Sequence, residues 1–369
     1  MRKIRVLAVD DSVVVRRVIT EVLDAEPDFE VVGVAANGKI ALAKIPQVAP
    51  DVVILDLDMP VMDGLATLEH IRKSYPRIPV LMFSALTERG AEATLDALFR
   101  GATDYVTKPA KVGSADQAAA VVRDQLIPKI RIFCGHVVGG ADEGSAAGRR
   151  AAHAASAAVG AAGSRVDVVA VGASTGGPNA LQVALSELPR DFPVPVLVVQ
   201  HMPPIFTKFL ARQLAAKLRI DVQEASSGAE AVPGRVLIAP GGNHMVVTRD
   251  GNAVRVATNQ DPPENSCRPA VDVLFRSVAD IYGRRSLAVI LTGMGKDGLN
   301  GCEAIRRCGG QVIAQDQGSS VVWGMPGFVV NSGLADAVLS LERVGGEIVR
   351  RVEAGGRAAR RRMAPSGRA

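Results

Sequence analysis

The stretch Val166–Gly177, with the sequence VDVVAVGASTGG, constrains the fold most strongly. Its apolar run Val168–Val171 ends at a glycine, Ser174 follows, and two more glycines precede a helix-like segment, Asn179–Leu188. A strand that leads through a glycine-rich turn into a helix is typical of a parallel α/β sheet, where ligands bind at the carboxyl ends of strands. Backbone N–H groups of the turn would surround an uncovered serine hydroxyl. The stretch predicts a nucleophile beside an oxyanion site, although a serine that caps the next helix also fits.

Length and composition indicate two or three domains of α/β type. The chain has 369 residues, 48% of them hydrophobic and only 4% aromatic, a balance that favours α/β packing. No apolar run approaches the ~20 residues that cross a bilayer, and the N-terminus lacks a signal-peptide cleavage pattern. The four cysteines show no CxxC spacing. We expect free thiols in a reducing cytoplasm.

The net charge of +5 is concentrated at one end of the chain. Residues 350–369 carry seven arginines and one glutamate, which sum to +6 and leave −1 for the rest. We predict a basic, disordered tail over 350–369. A charge run of this kind is poor evidence for a nucleic-acid-binding fold.

The first part of the chain alternates apolar runs with helical segments. Five runs read as strands, at Ile4–Val9, Val31–Ala35, Val52–Leu55, Val80–Phe83 and Asp104–Val106. This alternation predicts a doubly wound parallel sheet. Polar residues follow four of the runs: Asp10 and Asp11, Asp56, Ser84, and Lys108. Because the carboxyl ends of parallel strands share one edge, we expect these side chains to converge. Three carboxylates favour a hard cation such as Mg²⁺, and a lysine opposite them suits a phosphoryl group. Each acid taken alone could instead cap a helix.

Residues 1–128 resemble a response-regulator receiver domain, which has a flavodoxin-like fold. The resemblance is carried by VDDS (Val9–Ser12), ILDLDMPVMDG (Ile54–Gly64), FSA (Phe83–Ala85) and DYVTKP (Asp104–Pro109). It implies that Asp56 accepts the phosphoryl group, that Asp10, Asp11, Asp56 and the Asp58 carbonyl bind Mg²⁺, and that Lys108 pairs with the phosphate. It also implies that Ser84 and Tyr105 form a switch pair and that the Lys108–Pro109 peptide is cis.

The remainder divides into a linker, a second domain and the tail. Residues 129–165 are rich in alanine and glycine and are predicted to be a linker, flexible or partly helical. Residues 166–349 read as a second, Rossmann-like doubly wound domain. An Asp250-Gly251 turn between two short apolar runs predicts an antiparallel hairpin within it. The strand candidates are Val168–Val171, Pro195–Val199, Val222–Ala225, Arg235–Ile238, Ser286–Leu291 and Gly310–Ala314.

A serine nucleophile requires a base and a group that orients the base. The second domain has two histidines: His201 follows an apolar strand, whereas His244 precedes the hairpin. Position at a strand end favours His201, and His244 could bind substrate or cap a turn. Asp297 lies at the end of a third strand, in TGMGKDG, where it could also cap the next helix. The sequence therefore predicts a triad of Ser174, His201 and Asp297.

Two common motifs are disfavoured. Gly172–Gly176 satisfies G-x-S-x-G, but α/β-hydrolases run in the order Ser, Asp, His, and here the order is Ser174, His201, Asp297. The segment GASTGG lacks the G-x-G-x-x-G spacing of a dinucleotide-binding turn.

The second domain resembles the chemotaxis protein-glutamate methylesterase family, CheB. The resemblance rests on GASTGGP, QHMP, APGGNH, RPAVDVLF, LTGMGKDG and AQDQGSSVVWGMP, which lie between Gly172 and Pro326. It implies that Ser174, His201 and Asp297 are catalytic, and that the enzyme demethylates glutamates and deamidates glutamines of chemoreceptors. Candidate oxyanion donors are the N–H groups of Thr175, Gly176 and Met294. The resemblance also implies that the unphosphorylated receiver covers the esterase site until Asp56 is phosphorylated.

The expected partners are the cytoplasmic domains of methyl-accepting chemoreceptors and a chemotaxis histidine kinase as phosphodonor. We expect a cytoplasmic protein that meets the membrane only through receptors, with Mg²⁺ at the receiver, no cofactor for the esterase step and no nucleic acid. Two alternatives remain: a receiver-coupled esterase for a small-molecule ester, and a non-catalytic binding module that uses the arginine tail.

Overall fold

The computed structural model describes residues 2–85, 87–108, 115–138 and 165–363. The chain divides into two compact units, Met1–Ser145 and Ala146–Ala369. Each unit is built on its own parallel sheet, and each is described by itself. Among the described residues, no helix combines the length and the apolar character needed to span a membrane.

The first unit is a five-stranded parallel sheet in the order β2-β1-β3-β4-β5. Its strands are β1 Ile4–Val9, β2 Phe29–Ala35, β3 Val52–Asp56, β4 Val80–Ala85 and β5 Asp104–Lys108. Its helices are α1 Val13–Asp24, α2 Gly38–Val48, α3 Gly64–Ser74, α4 Glu88–Phe99, α5 Ala115–Val121 and α6 Ile127–Val138, with a π-helical turn at Val122–Leu126. The predicted doubly wound sheet is confirmed.

Each of the first four helices begins at a polar side chain that accepts a hydrogen bond from a backbone N–H of the first turn. The caps are Ser12, Asn37, Asp63 and Thr87. Such caps satisfy N–H groups that have no partner within the helix. They also fix the point at which each strand-end loop stops.

The last helix of the first unit extends beyond the boundary predicted near Pro128. α6 continues to Val138, because Ile130 and Cys134 belong to the apolar core and Lys129 donates to Asp104. A proline inside a helix clashes with the carbonyl four residues earlier, and the wider π turn just before Pro128 accommodates it. Residues 129–138 are therefore helical and not linker. The rest of the predicted linker, 139–164, lies outside the described residues, as does Pro109 with its predicted cis peptide.

The second unit is a seven-stranded parallel sheet in the order β14-β13-β12-β6-β7-β9-β8. Its strands are β6 Val168–Ala173, β7 Val196–Gln200, β8 Asp221–Glu224, β9 Arg235–Ile238, β12 Ser286–Ile290, β13 Gln311–Gln315 and β14 Ala337–Leu339. Its helices are α7 Gly177–Ser186, α8 Pro204–Lys217, α9 Val271–Tyr282, α10 Leu299–Arg307, α11 Met325–Asn331 and α12 Leu341–Met363, with a 3-10 turn at Gly283–Arg285. The chain first builds outward from β6 through β7 and later returns to add β12 on the other side. This reversal creates a crevice beside β6, where ligands bind in folds of this class.

The predicted hairpin is confirmed as β10 His244–Asp250 paired with β11 Ala253–Asn259. Gly251 in its turn has φ +59°, a left-handed conformation that glycine adopts without strain. Strand β14 and helix α11 were not among the predicted elements. Both are very short, and a three-residue strand carries too little periodicity to recognise.

The prediction of a disordered tail from residue 350 is wrong for residues 350–363, which continue helix α12. Val344, Ile348 and Val352 are buried at intervals of four residues, so they form one apolar face. Glu347 accepts hydrogen bonds from Arg350 and Arg351, which places two of the arginines in ion pairs. The prediction from charge therefore missed an amphipathic helix. Residues 364–369 lie outside the described residues.

Candidate active site

Three adjacent strands bring Ser174, His201 and Asp297 to one edge of the second sheet. Ser174 follows β6, His201 follows β7, and Asp297 lies in the loop after β12, and β6 lies between the other two strands. Backbone hydrogen bonds join the loops: Ser174 N donates to Thr292 O at 3.1 Å, and His201 N donates to Ala173 O at 3.1 Å. The convergence predicted from sequence is therefore present.

The contact between His201 and Asp297 is fully formed. His201 Nε2 lies 2.8 Å from Asp297 Oδ2, and the Asp297 side chain is only 2% exposed. Four further donors hold the two carboxylate oxygens at 2.6–3.0 Å: the backbone N–H groups of Val271, Asp272 and Gly298, and the Asn265 side-chain amide. Burial raises the pKa of Asp297, but His201 and the backbone donors outweigh it and lower that pKa below its usual range. Asp297 is thus a fixed, ionised acceptor for the ring.

The other ring nitrogen of His201 faces a cysteine. Cys267 Sγ lies 3.5 Å from Nδ1. Burial lowers the pKa of His201, but the hydrogen bonds with Asp297 and Cys267 outweigh it and raise the pKa to about 9. In the described part of the chain, no hydrogen bond joins Ser174 Oγ to the ring. The predicted relay is therefore complete between imidazole and carboxylate and open between serine and imidazole.

Backbone N–H groups around Ser174 divide into engaged and open donors. Gly177 N donates to Ser174 O at 2.8 Å, and Gly293 N donates to Val322 O at 3.0 Å. Within the described chain, the N–H groups of Thr175, Gly176 and Met294 donate to no other group. These are the three predicted oxyanion donors. Gly176 has φ +76°, and a Cβ there would lie 2.7 Å from Val321, so a side chain would disturb this turn.

His244, the alternative base, is placed elsewhere in the unit. It is 1% exposed. Ala270 N donates to its Nδ1 at 3.2 Å, and its Nε2 lies 3.2 Å from Pro262 O. Both nitrogens therefore bond to backbone, and His244 anchors the segment that carries Cys267.

Sequence reasoning missed Asn265 and Cys267. The preceding loop turns sharply, because Asn265 and Ser266 have φ values of 52° and 62°, a left-handed region rare for residues other than glycine. Asn265 Nδ2 then reaches both Asp297 Oδ1 and Asp272 Oδ2 at 3.0 Å. The available signal was position: both residues lie within three positions of the start of the motif RPAVDVLF.

The first unit also gathers its predicted side chains at one sheet edge. Lys108 Nζ lies 2.7 Å from Asp10 Oδ2 and 2.8 Å from Asp56 Oδ1. Burial raises the pKa of Asp56 to about 6, with Lys108 opposing and Asp10 adding to the rise. Carboxylate oxygens of Asp10, Asp11 and Asp56 all lie within 4.8 Å of one another. This cluster of hard, oxygen-only ligands fits Mg²⁺.

The remaining predicted residues of this unit lie on the strands of the same sheet or just after them. Ser84, at the end of β4, is 1% exposed, and its hydroxyl is 3.3 Å from Gly90 O. Tyr105 lies on the neighbouring strand β5 and is 9% exposed. Asp58 is exposed, and its carbonyl as an Mg²⁺ ligand stays a prediction.

Comparisons with known proteins give matches for both units. The CheB methylesterase model matches residues 169–348, and the response regulator receiver domain model matches residues 6–120. A protein-glutamate methylesterase/protein-glutamine glutaminase of Trichodesmium erythraeum (strain IMS101) is 53% identical over 352 residues, covering 95% of this chain and 100% of that protein. A protein of the same name from Nocardioides sp. (strain ATCC BAA-499 / JS614) is 49% identical over 358 residues, covering 95% and 96%.

A solved structure supports the assignment of the second unit. The crystal structure of the Thermotoga maritima CheB methylesterase catalytic domain is 42% identical, covers 51% of this chain and 99% of that chain, and gives a TM-score of 0.50. Relatives that match nearly end to end contain both units in one chain. The chain therefore belongs to the CheB family of protein-glutamate methylesterases/protein-glutamine glutaminases, hydrolases that carry a receiver domain.

Proposed function

We propose that this hydrolase removes methyl esters from glutamate side chains of chemoreceptors, and deamidates glutamines there, through Ser174, His201 and Asp297. Phosphorylation of Asp56 would raise this activity. The observation that carries the proposal is the 2.8 Å contact between His201 and a carboxylate held by four other donors. We place the reaction in the cytoplasm, with the membrane reached only through the receptors.

The first step transfers the acyl group to the enzyme. Ser174 Oγ attacks the ester carbonyl carbon, and its proton passes to His201. Because Nε2 is bonded to Asp297, the accepting nitrogen must be Nδ1. Ser174 Oγ therefore has to take the place of the Cys267 thiol at Nδ1, through rotation of its half-buried side chain. Catalytic hydrogen bonds often form only in the substrate complex.

Both charges that develop in the transition state, on the carbonyl oxygen and on the His201 ring, are stabilised. The tetrahedral oxygen would receive the open N–H groups of Thr175, Gly176 and Met294, and Asp297 stabilises the imidazolium. His201 then gives its proton to the leaving methoxide, which departs as methanol. Water attacks the acyl-enzyme with the same nitrogen as base and leaves glutamate. With glutamine as substrate, the leaving group is ammonia.

The receiver would regulate this chemistry. A histidine kinase would supply the phosphoryl group to an oxygen of Asp56, and Lys108, whose Nζ lies 2.8 Å from Asp56 Oδ1, would pair with it. Asp10, Asp11 and Asp56 are the carboxylates that would hold Mg²⁺, which when bound neutralises charge on the phosphoryl oxygens. Ser84 and Tyr105 would respond to the new group as the switch pair.

The test measures methanol release from methyl-labelled receptor cytoplasmic domains, with and without a phosphodonor. We expect release to increase with the donor, and Ser174→Ala to lose about 10³-fold or more in turnover. Ser186→Ala, which removes a hydroxyl at the far end of α7, is the matched control. Near-normal turnover in Ser174→Ala would contradict the nucleophile. Hydrolysis of small esters without release from the receptor would contradict the substrate.

A further inference from the structure

Cys267 occupies the position that the proposed mechanism reserves for Ser174. Its Sγ lies 3.5 Å from His201 Nδ1, and its side chain is partly exposed. We propose that Cys267 Sγ and His201 Nδ1 form a chelating site for a soft divalent cation, best matched by Zn²⁺, and that the bound ion inhibits the esterase. The binding stands by itself, whereas the inhibition rests on the proposed function.

The separation of the two atoms fits a tetrahedral zinc ion. Zinc–sulfur bonds are about 2.3 Å long, and zinc–nitrogen bonds are about 2.0–2.1 Å long. At the tetrahedral angle, such bonds place sulfur and nitrogen roughly 3.5 Å apart. The structure already has this separation, so binding an ion would not require the two atoms to move apart or together. Thiolate and imidazole are also the ligands that favour zinc over Mg²⁺.

The far side of the His201 ring supports metal binding independently. Histidine ligands of metals almost always donate their other ring N–H to a carboxylate or carbonyl, which fixes the tautomer. His201 Nε2 makes such a contact with Asp297 Oδ2 at 2.8 Å. With that proton on Nε2, Nδ1 carries a lone pair on the side of the ring where Cys267 Sγ lies 3.5 Å away. The carboxylate–imidazole pair that suits a general base therefore also suits a metal ligand.

Asp297 would remain an outer partner. Donor atoms of His201, Cys267 and Asp297 all lie within 4.8 Å of one another. However, both Asp297 oxygens are engaged by the ring and four other donors. The chain thus supplies two ligands, and water completes the tetrahedron. A two-residue site predicts reversible binding weaker than that of a structural zinc site.

Binding and catalysis exclude each other at one nitrogen. When the ion binds, the Cys267 thiol and the protonated Nδ1 of His201, whose pKa is raised to about 9, each release a proton to solvent. The thiolate and the Nδ1 lone pair then form the two bonds. Ser174 then has no base. Excess substrate would not restore that base, whereas a chelator would.

The binding experiment uses Co²⁺ as a spectroscopic probe in the full chain, with Mg²⁺ present to fill the receiver carboxylates. We expect a thiolate-to-cobalt charge-transfer absorption at one equivalent, which Zn²⁺ displaces. It should vanish in Cys267→Ser and persist in Cys308→Ser, which alters an exposed cysteine in the same unit. It should also persist in Ser174→Ala, whether or not Ser174 is the nucleophile.

The activity experiment follows methanol release during a Zn²⁺ titration. Cys267→Ser should need about 10-fold or more Zn²⁺ for half-inhibition of its own activity, and a chelator should restore release. No charge-transfer absorption in the unaltered chain, or absorption that survives in Cys267→Ser, would overturn the site. Absorption that depends on Cys267 without inhibition by Zn²⁺ would overturn only the inhibitory part.

Discussion

The contacts within the two candidate sites are formed to different extents in the structure. Both units place reactive side chains at the carboxyl ends of parallel strands, along one edge of a sheet. In the first unit, Lys108 already contacts both Asp10 and Asp56. In the second, His201 contacts Asp297 but turns its other nitrogen to Cys267 and not to Ser174.

This difference separates what a sheet determines from what loops determine. Parallel strands fix where each loop begins, and so bring distant residues to one edge. Which atoms touch depends on loop conformation and on side chains from outside the sheet, such as Cys267. The receiver site depends on charge attraction between few groups, whereas the esterase site depends on a crowded loop held by hydrogen bonds.

The largest effect is expected for Asp297→Asn, which tests the completed half of the esterase relay. An amide replaces one of two acceptor oxygens with a donor, so the His201 ring loses its orientation and the imidazolium its counter-charge. We expect kcat/KM for methanol release to fall about 10⁴-fold.

Asp272→Asn is the matched control, because it alters a buried carboxylate of the same network. The Asp272 carboxylate accepts hydrogen bonds from Asn265 and Gly301 but makes none with His201. Its activity loss should be much smaller than that of Asp297→Asn. Equal losses in the two variants would mean that the network matters only for packing.

Much of this arrangement could be predicted because it depends on short-range patterns. The apolar runs that lead to Asp56, Ser174 and His201 each predict a strand and the point at which it ends. The contact between Cys267 and His201 could not be predicted, since it depends on a left-handed turn at Asn265 that no periodicity reveals. Helix α12 was not predicted for another reason: the run of arginines from Arg350 indicated a disordered tail, although Val352 lies on a buried face of the helix.

Asp56→Asn tests the receiver side of the comparison. An amide cannot accept the phosphoryl group, so adding a phosphodonor should leave methanol release by this variant unchanged, while it increases release by the unaltered chain. The measurement is the ratio of rates with and without donor. Asp51→Asn, which alters a carboxylate that bonds Arg2 and Arg5 at the other end of β3, should keep its response. A full response in Asp56→Asn would remove Asp56 as the acceptor.

Two helix positions beyond the predicted boundaries should affect stability. Ile130 in α6 is 0% exposed and Val352 in α12 is 3% exposed. Truncating buried side chains removes apolar contact and leaves cavities, so Ile130→Ala should cost about 2–5 kcal/mol and Val352→Ala about 2 kcal/mol. Denaturant unfolding of the full chain measures both, with exposed Arg343→Ala as control. No destabilisation by Val352→Ala would support a disordered tail.

The smallest expected effect is a shift in the pH profile, and it concerns the open half of the relay. His201 acts as a base only when it is neutral, and its raised pKa of about 9 means that most of it is protonated at pH 7. We therefore expect kcat/KM, measured with a metal chelator, to increase with pH along a sigmoidal curve whose midpoint lies near that pKa. Because the Cys267 contact raises the pKa of His201, Cys267→Ala should move the midpoint to lower pH. Cys308→Ala, whose thiol is distant in sequence and exposed, should not move it. An unchanged midpoint in Cys267→Ala would show that the thiol does not hold the ring in its protonated form.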